Sequence, residues 1–198
     1  MSMSPQLRCL AALALAFLGC AGPGLAELTV GQVAPDFRLR DLAGEAFALA
    51  ELRGRPVVLE WINPNCPFSR RHSRQKTMQS TAAAHPDAVW LGISSTRPGH
   101  GDHLAPAEFK AFLAEHGISY PVLEDASGEV GRAYGAKTTP HMFVIDADGV
   151  LAFAGAIDDD PRGRAAKVNY VASALDALAA GGRPEPGSTT PYGCNVKY

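Results

Sequence analysis

The sequence predicts an α/β fold in which a mixed central β-sheet carries helices on both faces. Short β-branched and aromatic runs alternate with longer helix-like stretches, the order that parallel strands with crossover helices require. Two strand-like runs then meet across the turn 146-DADG-149, which adds antiparallel strands to the same sheet. The 198 residues, 46% hydrophobic and 19% charged, suit a single core of ordinary size, and no internal repeat or second domain interrupts them.

The first segment is expected to be removed. Arg8 precedes the apolar run 10-LAALALAFLGC-20, and 21-AGPGLA-26 supplies small residues before a cut after Ala26. A positive start, a short apolar centre and small residues at its end read as a signal peptide over residues 1–26, hence an exported protein, in a bacterium a periplasmic one. The run falls short of the roughly 20 apolar residues of a spanning helix. Leu18-Gly19-Cys20 resembles a lipoprotein box, which would make Cys20 a membrane anchor, but Phe17 fits that box poorly and simple cleavage is preferred. Losing residues 1–26 removes Arg8 and no acid, so the net charge moves from −2 to −3. It also removes Cys9 and Cys20, leaving Cys66 and Cys194 for a compartment where disulfides form.

Residues 27–182 read as one domain and 183–198 as a polar, Pro/Gly-rich tail. The stretch 34-APDFRLRDLAGEAFALAELRG-54, with Gly44 and Gly54 as turns, suggests an edge hairpin and a loop leading inward. A buried strand follows in 57-VVLEWI-62, then a helix over 67–85 that lacks Gly and internal Pro. A strand in 88-AVWLGIS-94 precedes the helix 106-PAEFKAFLAEHG-117, closed by Gly117. After 120-YPVLED-125 and a short helix over 128–136 come the strands 141-HMFVID-146 and 150-VLAFAGA-156. The amphipathic run 163–181 reads as the last helix, and the acids 158-DDD-160 as a loop leading into it.

Cys66 falls at a strand-to-helix junction, with Pro67 at the first helical position. Unpaired amides and the helix dipole there favour an anion and draw a thiol pKa from ~8.5 toward ~7 or below. At about 1.4 kcal/mol per unit, one or two units bring the thiol to half ionised or more at neutral pH. Arg70 and Arg71 in the first turns add positive potential or are simply solvated. The neighbours Asn63, Pro64, Asn65 and Pro67 are wrong for a core, which argues for a reactive cysteine over an inert one. His141 is either a charge partner of the thiolate or a core residue, and His72 is expected at the surface. His100, Asp102 and His103 offer too few ligands for a closed metal site. No Lys/Arg cluster suggests nucleic acid.

The segment Cys66-Pro67-Phe68-Ser69 between strand and helix, with Thr139-Pro140 ahead of a later strand, resembles the thioredoxin superfamily. The stretches 31-GQVAPDFRLRDLAGE-45 and 143-FVIDADGVL-151 are similar to its alkyl hydroperoxide reductase/thiol-specific antioxidant, or peroxiredoxin-like, branch. The tail 189-TTPYGCNVKY-198 resembles that of bacterial peroxiredoxin-like proteins with a similar NPxCPF box. This resemblance, over about residues 30–180, implies a thioredoxin-like fold, a cis Thr139-Pro140 bond facing Cys66, and a Thr139 backbone open to an incoming chain. It implies a thiol oxidoreductase with Cys66 as nucleophile and a groove shaped by Thr139, Pro140, Pro67 and Asn63. The substrate would be a peroxide or a disulfide and the electron donor an unidentified thiol reductant. No metal or organic cofactor is needed, and a membrane is involved only through lipidation at Cys20.

Two positions depart from the pattern. Ser69 stands where thioredoxin has its second cysteine, and Asn63 where peroxiredoxins carry a threonine that orients peroxide. Cys194 is then the remaining partner, in the turn Pro191-Tyr192-Gly193-Cys194, expected to be flexible. It would resolve an oxidised Cys66, staple it permanently, or pair with another molecule. As a permanent staple, the long closure from Cys66 to Cys194 would stabilise by roughly 4–5 kcal/mol. The alternatives to a peroxidase are a protein disulfide exchanger and a non-enzymatic binding module held by a structural Cys66–Cys194 bond.

Overall fold

The computed structural model describes residues 28–198, so the leader, Cys9 and Cys20 lie outside the described residues. The chain runs β1 (Arg38–Asp41), β2 (Ala46–Ala48), a 3-10 turn (Leu49–Leu52), β3 (Val57–Trp61), α1 (Pro67–Gln75), α2 (Thr77–Ala84) and β4 (Val89–Ser94). It continues through α3 (Pro106–His116), β5 (Val122–Glu124), α4 (Glu129–Tyr134), β6 (Thr138–Thr139), β7 (His141–Ile145), β8 (Leu151–Gly155), α5 (Tyr170–Ala179) and β9 (Cys194–Asn195).

The main sheet has the order β2-β1-β5-β4-β3-β7-β8, and β6 pairs with β9 in a small second sheet. β3, β4 and β5 are parallel, while β7 runs antiparallel to both β3 and β8, and β1 antiparallel to β5. The β1–β2 hairpin sits at one edge, as the sequence suggests. β3 lies between β4 and β7 and is buried along its whole length, which is why its sequence is an unbroken apolar run except for Glu60.

Alternation along β3 divides the core. Leu59 and Trp61 join Leu91, Phe143 and Tyr134 of α4 on one face. Val58 faces the other way, with Met78 of α2 and Val171, Ala174 and Leu175 of α5. On that same side Phe109 and Phe112 of α3 cover Ile62 and Val122. Helices therefore close both faces, as expected.

Glu60 is the exception inside this core. Its carboxyl lies buried on the α2/α5 side, where Trp90 Nε1 (3.1 Å) and Tyr120 Oη (2.6 Å) both donate to Oε2. Burial pushes its pKa up to about 7, against the pull of those two donors.

Three elements differ from expectation. The helix drawn over 67–85 breaks at Lys76, a non-glycine residue in the left-handed region (φ 56°), whose amide closes α1 onto the carbonyls of His72 and Ser73. The Gln79 side chain also donates to the Ser73 carbonyl, so the break is hydrogen-bonded without a Gly or Pro to announce it. The last helix begins only at Tyr170, where Asn169 caps it by accepting the Ala172 amide (2.9 Å). Asp159 gathers the amides of Lys167 and Val168 and holds the preceding residues out of helical geometry. The tail is laid against β8 and the Thr139-Pro140 loop: Thr189 and Ala154 exchange a backbone bond (3.1 Å), and Val196 donates to the Lys137 carbonyl (3.1 Å).

Glu60 keeps its proton in the folded chain up to about pH 7 and releases it near 4.5 when unfolded. The folded state thus binds the extra proton, so this stability is full below about pH 4.5 and is lost as pH rises toward 7. Glu60→Gln removes that titration. In urea unfolding, the fall in stability between about pH 5 and about pH 8 is expected to shrink by roughly 2–3 kcal/mol relative to wild type.

Candidate active site around Cys66

Cys66 is the N-cap of α1, with extended backbone, and Pro67 opens the helix. The turn before it is built by Asn63. The Asn63 carbonyl accepts the Cys66 amide (3.0 Å), its Oδ1 accepts the Asn65 amide (2.7 Å), and its Nδ2 donates to Thr96 Oγ1 (2.9 Å). Asn63 is therefore committed beneath the loop, buried, and does not line an open groove. Pro67 is exposed at the helix mouth.

The Thr139-Pro140 bond is cis, and the Thr139 carbonyl accepts the Cys66 thiol proton (2.9 Å). Thr139 stands directly opposite Cys194 in the antiparallel β6–β9 pairing, and Thr138 opposite Asn195. The tail thus takes the strand position beside Thr139 that the resemblance assigns to an incoming chain. Only glycine fits before it: a Cβ on Gly193 would lie 2.2 Å from the Thr139 carbonyl oxygen.

This brings two free thiols near enough for each to affect the other's ionisation. Burial alone raises the pKa of Cys66, which is 3% exposed. Donation from the Cys194 thiol, the Thr139 hydroxyl, and the backbone amides of Ser69 and Cys194 outweighs burial, so the net shift is downward. The Thr139 carbonyl favours the protonated form, so the thiolate is held by four donors against one acceptor. Ser69 is the third helical residue, and its amide is among the groups that favour the thiolate, although the Cys66 side chain makes no capping hydrogen bond. Cys194 moves the other way, up to about 11, through burial and then through its bond to Cys66 and the charge there. One thiol is prepared to ionise and its neighbour to stay protonated.

The charged candidates serve other ends. Arg70 Nε donates to the Pro64 carbonyl (3.1 Å). Arg71 donates to the carbonyls of Asp160 (3.0 Å) and Pro161 (3.1 Å), tying α1 to the loop before α5. Neither is among the groups that lower the Cys66 pKa; peptide and side-chain dipoles do that. His141 packs on Phe143, 4.4 Å between ring centres, and its Nδ1 accepts the Lys137 amide (3.2 Å). His100 Nδ1 accepts the Asp102 amide within a local turn.

His72 is a correction: it is buried, not at the surface. Its Nε2 meets Tyr192 Oη (3.1 Å), and Tyr192 donates to the Asp158 carboxylate. The Arg71 guanidinium lies over the rings of Phe68 (5.6 Å) and Tyr192 (5.7 Å). Burial pushes His72 down to about 4, against the attraction of Asp158. Burial and the bond to Asp158 push the Tyr192 phenol well above its usual range. This buried cluster fastens the tail two residues before Cys194. Only Tyr192's place beside Cys194 hinted at it; Asp158 sits in an acid run that looks solvated.

The AhpC/TSA family matches residues 30–154. The soluble secreted antigen MPT53 of Mycobacterium tuberculosis is 31% identical over 134 residues, 66% of this chain and 72% of that protein. A hypothetical protein of Sinorhizobium meliloti superposes with a TM-score of 0.77 at 27% identity, covering 87% of this chain and 96% of that one. A secreted Mycobacterium tuberculosis disulfide oxidoreductase, described as homologous to E. coli DsbE, superposes at 0.50 with 26% identity, covering 58% of this chain and 79% of that one.

Two outcomes follow from this geometry. Cys194→Ala removes the thiol donor and is expected to raise the Cys66 pKa, read by ultraviolet thiolate absorbance across a pH titration. Gly193→Ala drives a methyl group into the Thr139 carbonyl and is expected to weaken tail docking by about 1–3 kcal/mol. Faster hydrogen exchange at the Cys194 and Val196 amides would report it.

Proposed function

Since the chain belongs to the AhpC/TSA family of thioredoxin-fold thiol oxidoreductases, we propose that it is an exported enzyme with Cys66 as its redox nucleophile and Cys194 as its resolving thiol. The observation that carries this reading is the β6–β9 pairing, which sets Cys194 opposite Thr139, the residue whose carbonyl accepts the Cys66 thiol, with both cysteines free. Export is supported by the leader over residues 1–26 and by the secreted relatives.

In the first step the Cys66 thiolate attacks one sulfur of a disulfide. A new S–S bond forms at Cys66, the substrate's S–S bond breaks, and the other half leaves as a thiolate. The Ser69 amide is among the groups that favour negative charge on Cys66. In the second step Cys194 loses its proton, which the leaving thiolate takes up, and attacks Cys66 sulfur. The bound half of the substrate departs as a thiol and Cys66–Cys194 becomes a disulfide. An external dithiol then returns both to the reduced form and is itself oxidised.

Disulfide exchange is favoured over peroxide reduction because Asn63, at the position that would orient a peroxide, has both side-chain groups engaged below the loop. Peroxide reduction is the second reading, supported by the family match. There Cys66 would become a sulfenic acid, and attack by Cys194 would release water.

The test combines trapping and rates. With a stoichiometric model disulfide, Cys194→Ser is expected to accumulate a mixed disulfide at Cys66, located by peptide mass spectrometry, while Cys66→Ser turns over nothing. Turnover by Cys66→Ser would move the nucleophile to another residue, and a Cys66–Cys194 bond that resists millimolar reductant would leave a binding module instead. Stopped-flow oxidation by hydrogen peroxide is expected to be no faster than for free cysteine thiolate; a much faster rate moves the assignment to peroxidase.

A further inference from the structure

Cys66 is nearly sealed, with Thr139 and Pro140 buried beside it and β9 paired across them. Its chain neighbours Asn65 and Pro67 are the exposed part of the site. Both line a depression of about 460 Å³ completed by Arg70, Arg71, Arg74 and Gln75. No acid lines it, although the whole chain carries a net charge of −2.

The carboxylates of Asp102 and Asp158 are otherwise engaged. Asp102 lies beyond Asn65, with its carboxylate 4.0 Å from Lys197 Nζ and 3.9 Å from His100 Nδ1. Asp158 accepts from Tyr192, and Asp160 gives its carbonyl to Arg71. Arg71 is held by the loop before α5, and Arg70 is held through Nε alone. Arg74 is exposed and has no hydrogen-bond partner among the described residues. The terminal nitrogens of Arg70 and Arg74 are thus available on the rim they share with Asn65 and Pro67, the exposed chain neighbours of Cys66.

We propose that this depression is the substrate pocket of Cys66 and selects small disulfides bearing carboxylates close to the sulfur–sulfur bond. This rests on Cys66 being the nucleophile, and the bond changes are those of the exchange above. An extended protein chain would have to displace β9 to pair with Thr139, whereas a small molecule enters past Asn65 and Pro67. A carboxylate about 6 Å from one or two guanidinium groups in a half-solvated pocket gains enough attraction for roughly a three- to tenfold preference over a neutral analogue. Salt above about 0.5 M shortens the screening length to a few ångströms and erodes that preference.

The experiment alkylates the reduced full chain with iodoacetate, an anion, and iodoacetamide, its neutral counterpart, and maps Cys66 by mass spectrometry. Relative to free cysteine at the same pH, the iodoacetate:iodoacetamide rate ratio at Cys66 is expected to be roughly three- to tenfold higher. It should fall in high salt, fall about two- to threefold in Arg74→Gln, and recover in Arg74→Lys. As an independent measure, kcat/KM for dithiodipropionate over that for neutral hydroxyethyl disulfide should drop in parallel. A ratio at Cys66 equal to that of free cysteine, or one indifferent to Arg74→Gln, overturns the pocket and leaves the nucleophile standing. A Cys66 inert to both reagents overturns the nucleophile and the pocket together.

Discussion

The whole site depends on one short strand pairing. Opposite Thr139, Cys194 brings both a thiol and a backbone amide onto the Cys66 sulfur. Removing a thiolate from water is costly, and burial alone would leave Cys66 protonated and inert. Hydrogen bonds to a charged group are worth roughly 1.5–3 kcal/mol each, so a few donors aimed at one sulfur suffice to reverse the sign. Two of the four donors come from the tail. The lowered pKa of Cys66 therefore depends on the docked tail as well as on α1.

What holds the tail is correspondingly elaborate. Thr189 bonds to β8, Tyr192 is set among His72, Asp158 and Arg71, and Tyr198 donates to the Ala136 carbonyl while its ring lies under the Arg132 guanidinium. Buried polar groups are costly unless satisfied, and here the phenol, imidazole and carboxylate satisfy one another. The arrangement presents Cys194 on a docked strand instead of a loose arm. It also closes the backbone edge of Thr139.

Much of this was legible in the residue order. Strand-like and helix-like runs placed the sheet and its covering helices, and the proline-flanked Cys66 marked a helix mouth. The Thr139-Pro140 pair was expected, by resemblance, to be cis and to face the sulfur, and it does. The misses have physical causes. The break at Lys76 relies on side chains taking up freed carbonyls, which leaves no local signature. His72 looked exposed because its burial comes from Tyr192, 120 positions away. Arg70 and Arg71 looked like charge partners of the thiolate, yet their guanidinium groups brace loops and border a pocket.

By itself the sequence determined which chemistry was available: a cysteine at a helix N-terminus, a serine in place of a vicinal partner, and a second cysteine far along the chain. Those facts are local, set by residue type and the geometry of a strand turning into a helix. Only the tertiary structure decided how they combine. Hydrogen bonding and burial act across space, so the pairing of residue 139 with residue 194 brings two cysteines far apart in the chain to one place. The same pairing occupies the backbone edge of Thr139.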